Sequence, residues 1–228
     1  MTVRSPSYRP RHAARPDAES GPRRPPANRA LAAVDALTPV HVGVLAGLAM
    51  LLFVLGRLVV AADGDVTRFV VAGNVWTDAA AVDPPIHVFD SDGYDGQFYW
   101  RLAVDPFARD EAEVNGVTLD NITRSTRVTY PTLAYVGALA QPGLVAWSLV
   151  GVNVVAFGAL AGLAAAFARD KGHGAVAGLL VAASSGLVMS VARDLCEVVM
   201  VAAVVAGVVA VGRRRFGWAA LAWSVAVL

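Results

Sequence analysis

Charge is scarce in this chain. Asp, Glu, Lys and Arg make up 16% of its 228 residues, against ~25% in an ordinary soluble domain. Hydrophobic residues make up 56%, above the usual ~45–50%, and the mean hydropathy is +0.54. A soluble domain of this size has no core large enough to hide so much Ala, Val and Leu. The same balance excludes a disordered protein and a coiled coil. Cysteine is limited to Cys196, which excludes an internal disulfide and with it a disulfide-rich secreted module. The four histidines, His12, His41, His87 and His173, are scattered and give no zinc-type spacing. No folded face concentrates basic charge, so a nucleic-acid partner is excluded. A polytopic membrane protein remains.

The net charge of +1 hides an uneven distribution. Residues 1–38 hold seven Arg against three acids, whereas residues 63–130 hold five Arg against twelve acids. Pro10, Pro16, Pro22, Pro25 and Pro26 interrupt any helix near the start. The segment 1–38 therefore reads as a disordered basic cytoplasmic tail. A signal peptide is not expected, because the first apolar run begins near Val40 and is too long for one.

Crossing a bilayer takes ~20 apolar residues. Such runs cover about 40–62, 145–168, 175–192 and 195–212, with an incomplete one over 217–228. A chain seldom stops inside a membrane helix, since backbone groups would end unpaired in hydrocarbon. The sequence is therefore read as the N-terminal part of a longer protein. Arg57 lies near the far end of the first run and can snorkel to the interface. Basic residues mark the cytoplasmic side of a membrane. They place the tail, Arg169–Lys171 and Arg213–Arg215 inside, and the acidic segment 63–130 and Arg193–Glu197 outside. The stretch 131–142 is too short to cross and reads as interfacial. Gly43 with Gly47, and Gly158 with Gly162, have the spacing of close helix packing. The expected fold is all-α: a polytopic transmembrane helical bundle with a long external loop carrying short amphipathic helices. Thr67–Trp76 and Gln97–Val104 have the helical spacing.

Function is expected in that external loop. Its centre reads Asp90-Ser91-Asp92-Gly93-Tyr94-Asp95-Gly96-Gln97. Gly93 and Gly96 allow a tight turn, and Asp95 is placed to cap the helix that follows. The Asp-x-Asp-Gly pattern resembles a calcium loop, but position 12 from Asp90 is Arg101, which excludes an EF-hand. An Asp-x-Asp pair also occurs in soluble nucleotide-sugar transferases, whose donors are scarce outside the cell. Carboxylates this close raise one another's pKa unless a cation or an Arg offsets them. They serve as a general base or as metal ligands. A divalent cation is the cofactor such a group would take, with Asp90 and Asp92 as its candidate ligands. Arg124 and Arg127, three apart, would share a helix face as a phosphate clamp. Asp194 and Glu197, also three apart, form a second polar island on the same side. Charge at the edge of a span has a partner or a role.

Three strings carry a family resemblance. Gly93-Tyr94-Asp95-Gly96-Gln97-Phe98-Tyr99-Trp100-Arg101-Leu102-Ala103-Val104-Asp105-Pro106 resembles the first-loop motif of GT-C type polytopic membrane glycosyltransferases. Arg127-Val128-Thr129-Tyr130-Pro131 and Asp194-Leu195-Cys196-Glu197 resemble further elements of such proteins, and the Asp-Gly element is similar to one in mannosyltransferases. The resemblance covers about residues 40–228. It implies a polyprenyl-phosphate sugar donor, a membrane-lipid setting and transfer at the outer face. It gives Asp95 the role of base on the acceptor hydroxyl or of metal ligand. Arg101, Arg124 or Arg127 would hold the donor phosphate, and Asp194 and Glu197 would contact substrate. With four and a half expected helices the chain is shorter than the eight or more typical of that family. The rival expectation is a non-catalytic multi-pass assembly or interaction subunit that docks a partner on the aromatic face Phe98–Trp100. Proton or ion coupling is not expected, because Asn153 is the one strong polar group at mid-depth in the runs.

Overall fold

A computed structural model describes residues 36–108, 111–119 and 121–227. The basic tail expected over 1–38 lies almost wholly outside the described residues. The chain is mostly helical, at 65%. Among the described residues two helices are long and apolar enough to cross a membrane.

The first is α1, Pro39–Val60. Pro39 sits where its missing N–H costs nothing, and the Thr38 hydroxyl accepts from the His41 N–H at 3.2 Å. Only one narrow stripe of α1 is buried: Val42, Ala46, Met50, Val54 and Leu58. The rest of its surface is exposed Val, Leu and Phe, which suits hydrocarbon.

The long segment after α1 holds little regular structure. A 3-10 turn, Val66–Phe69, comes first. Strand β1, Ala72–Gly73, pairs in parallel with β2, Val88–Phe89. Helix α2 is Gly96–Val104. Strands β3, Glu113–Val114, and β4, Val117–Thr118, form an antiparallel pair. A 3-10 turn, Ile122–Thr126, leads to α3, Thr129–Gly137. The helical spacing over Thr67–Trp76 thus resolves into the 3-10 turn and a strand. Helix α2 does not lie on a surface: every residue from Gly96 to Ala103 is buried.

The second long helix is α4, Val145–Asp170. It runs antiparallel to α1, and the four glycines of the two small-residue pairs meet at one crossing. A Cβ on Gly158 would stand 2.9 Å from the Gly43 carbonyl oxygen and 3.2 Å from the Gly47 Cα. A side chain there must push the helices apart. Gly158→Val is therefore expected to destabilise the protein by about 1–3 kcal/mol, read as a lower melting temperature in detergent. An unchanged melting temperature would show that the crossing carries no such weight.

The run expected as one helix over 175–192 is two pieces. A 3-10 segment, Ala175–Ala183, and α5, Ser185–Ala192, meet at extended Ser184 with a bend of 63°. Gly178 packs so close to α4 that an added Cβ would sit 2.4 Å from the Ala161 carbonyl oxygen. Small residues thus let this segment hug α4 in the tighter 3-10 form. Helices α6, Glu197–Gly212, and α7, Phe216–Val227, form a hairpin. The Trp223 indole N–H donates to the Val204 carbonyl at 3.3 Å across it. Arg213 pairs with Asp170 at 3.0 Å, tying the ends of α4 and α6 together.

Candidate functional site

The site is built on the turn that enters α2. Gly93 takes a positive φ of 72°, which glycine adopts without strain. The Gln97 amide staples the turn: its Oε1 accepts from the Gly73 N–H at 3.1 Å and the Thr77 hydroxyl at 2.9 Å. Its Nε2 donates to the Asp92 carbonyl at 3.0 Å. Gly96 has no room for a side chain, since a Cβ would meet the Val70 carbonyl at 2.4 Å and the Arg193 carbonyl at 2.7 Å. The turn is therefore wedged between the 3-10 turn after α1 and the junction before α6.

This wedge presents the Asp95 carboxylate away from its own helix. Asp95 makes no side-chain cap on α2. Its Oδ1 instead accepts from Arg124, and its Oδ2 lies 3.9 Å from Arg127. A charge-assisted bond from a guanidinium outweighs a local cap from a neutral N–H. Arg124 also lies over the Phe98 ring at 4.5 Å. The acid and both arginines of the expected clamp thus form one cluster. It is open to solvent: the Asp95 side chain is 35% exposed and that of Arg127 51%.

Behind the cluster the polar groups are sealed in. Arg127 donates to the Tyr99 hydroxyl at 3.2 Å, and the Tyr99 hydroxyl and Cys196 Sγ are 3.0 Å apart. Tyr99 meets the Tyr130 ring edge-on at 5.4 Å. The Tyr130 hydroxyl donates to the Leu149 carbonyl at 3.1 Å and accepts from Asn153 Nδ2 at 2.7 Å. The mid-depth Asn153 therefore anchors a tyrosine. Burial pushes the Tyr99 and Tyr130 hydroxyls and the Cys196 thiol up. Sequence reasoning missed Tyr99, Tyr130 and Cys196 as site residues, although each lies inside a string singled out for its resemblance.

The other candidates are placed elsewhere. Arg101 is 1% exposed and donates to the Glu111 carbonyl. Burial lowers its pKa, with Glu111 and Asp105 acting the other way. It stands apart from the Asp95 cluster. Glu197 starts α6 and accepts from the Ser190 hydroxyl at 2.7 Å. Asp194 does not share a helix face with it, because Asp194 sits before the helix at a φ of 48°. Phe98, Tyr99 and Trp100 are all buried, so they form no docking face in this structure. Asp90 is exposed and accepts from Asn74 at 2.7 Å. Among the described residues no three His, Cys, Asp or Glu side chains come together. Asp90 and Asp92 are both exposed and stand outside the Asp95–Arg124 pair.

Asp194 is fully buried, and among the described residues neither carboxylate oxygen has a hydrogen-bond partner. Burial holds its carboxyl well above the usual carboxylate range, with the Arg57 guanidinium acting the opposite way. The folded state thus binds this proton more tightly than the unfolded chain. The resulting stability is present below the unfolded value of 3.8 and is lost as pH rises toward the folded one. Asn keeps the polar shape, tolerates the left-handed backbone and does not titrate. The melting temperature is expected to fall as pH rises from about 4, and to fall less in Asp194→Asn. Equal slopes in both proteins would contradict this.

Comparisons of the chain with protein-family models, with curated proteins and with solved structures found no match.

Proposed function

We propose that the protein is a GT-C-like membrane transferase that moves a sugar from a polyprenyl-phosphate donor at the outer face of the cell membrane. The single observation that carries the reading is the meeting of Asp95 with Arg124 and Arg127 at one solvent-open point. That point lies at the end of α1 and α4 from which the long segment emerges. Further support is that the three strings of the resemblance touch one another there, through Asp95, Tyr99, Arg127 and Cys196.

In this reading the chain is a multi-pass bundle with its N-terminus in the cytoplasm. The basic junctions at Arg169–Lys171 and Arg213–Arg215 then share the inner side, as the Arg213–Asp170 pair requires of their helix ends. The acceptor hydroxyl approaches the exposed side of Asp95. Its oxygen attacks the anomeric carbon, and the bond from that carbon to the phosphate oxygen breaks. Asp95 takes the hydroxyl proton. The phosphate leaves with the bonding electrons, its charge offset by Arg127 and Arg124.

The test is transfer of labelled sugar from a polyprenyl-phosphate sugar by membranes containing the protein. Activity is expected in the wild type and is expected to be lost in Asp95→Asn. Unchanged transfer in the variant would remove the catalytic role.

A further inference from the structure

A cavity of about 660 Å³ opens beside the C-terminal end of α1, and Asp95 is not part of its wall. The wall is of two kinds. Leu52, Phe53 and Gly56 give an apolar channel along α1, while Arg57, Arg68 and Arg193 line the same cavity. A guanidinium in a largely apolar wall needs a counter-charge or water. Among the described residues, only Arg68 of the three has a counter-charge in contact, Asp63 at 2.7 Å.

Arg57 lies over the Phe69 ring at 4.9 Å, and Arg193 over the Tyr94 ring at 3.9 Å. Stacking uses the face of a guanidinium and leaves its in-plane N–H donors for another acceptor. Among the described residues neither Arg57 nor Arg193 donates a side-chain hydrogen bond, and the Nε atoms of Arg57 and Arg68 are buried without an acceptor. Among the described residues Asp63 pairs with Arg68 and Asp194 acts on Arg57. Burial holds Asp194 toward its neutral form. Positive charge is left over, with unused donors, beside an apolar channel.

We propose that this groove seats an anionic phospholipid, its phosphate on Arg57, Arg68 and Arg193 and one acyl chain along Leu52, Phe53 and Gly56. The depth is right for it. Arg57 is in the last turn of a helix long enough to cross a bilayer, the level at which headgroups and basic side chains meet. A free anion has no use for the apolar channel. The site stands independently of the transferase reading, since its wall does not include Asp95, Arg124 or Arg127.

The experiment measures lipid retained by the full chain after extraction from phosphatidylcholine nanodiscs doped with phosphatidylglycerol, read by native mass spectrometry. Phosphatidylglycerol is expected to be enriched over phosphatidylcholine. Arg193→Gln removes one charge-assisted contact and is expected to lower that enrichment about tenfold. Gly56→Leu leaves every arginine in place and points into open space, since a Cβ there meets nothing within 4 Å. It fills the channel without disturbing the fold, and is expected to lower the enrichment by a similar factor. Inorganic phosphate is expected not to displace the lipid. Equal retention of the two lipids, wild-type enrichment in Gly56→Leu, or displacement by inorganic phosphate alone would each overturn the proposal.

Discussion

Asp95→Asn is expected to slow sugar transfer by about 10²–10⁴-fold, the usual contribution of a positioned general base. Asparagine keeps the size of the side chain and an oxygen that can accept from Arg124. It loses the negative charge and the ability to take the acceptor proton. The effect on folding is expected to be small, because the ion pairs are partly open to solvent and such pairs contribute about 0–1 kcal/mol. Asp95→Glu keeps the charge but moves it by a methylene, and an intermediate rate is expected. The check is the initial rate of labelled-sugar transfer, with melting temperatures measured on the same preparations. A wild-type rate in Asp95→Asn would remove the base from the mechanism.

Gly73→Val is expected to have the largest effect on the fold. A Cβ at Gly73 would lie 2.1 Å from the Ser91 carbonyl oxygen, 2.3 Å from the Gly93 nitrogen and 2.4 Å from the Asp92 carbonyl carbon. All three are backbone atoms, so no side chain can swing aside. Relief requires the Asp90–Asp95 turn to lift off β1, which breaks the Gly73 bond to Gln97 and frees the Asp95 turn. The cost is expected to be about 4 kcal/mol or more, in the range kept for severe steric conflict. Limited trypsin digestion checks it. Arg101 is buried in the wild type and becomes a cleavage site once the loop opens. The wild-type digestion pattern in the variant would contradict the account.

Much of the helical frame was legible because of one strong signal. The runs near 40–62 and 145–168 are apolar beyond any rival reading, and α1 and α4 lie there. The run over 175–192 looked the same by composition, yet Ser184 breaks it. Composition reports what a segment can bury; the choice between α and 3-10 was made by Gly178 against α4. The Asp95 turn was legible for a similar local reason, since two glycines frame it.

What sequence reasoning missed is long-range. A cap is the nearest use for an Asp before a helix, yet Asp95 makes none. Its partner Arg124 is 29 residues away, and nothing local marks the pair. Arg101 is expected at the donor phosphate because acids and arginines converge on one side of the membrane. Its helix is packed on every side, so the charge went inward to the Glu111 carbonyl. Phe98–Trp100, expected as an exposed face, are buried with it. The loop was read as surface helices, and it is instead a packed unit of short elements whose register only the tertiary contacts set.

Asp95 and Arg124 are proposed to act on the reaction as one unit. A double-mutant cycle on the transfer rate tests it most directly, using Asp95→Asn, Arg124→Gln and the two together. Residues that act as a unit lose most of their effect with the first change. The double variant is expected to be no slower than about threefold below the slower single variant. Losses that multiply, or single variants that both transfer sugar at the wild-type rate, would contradict it.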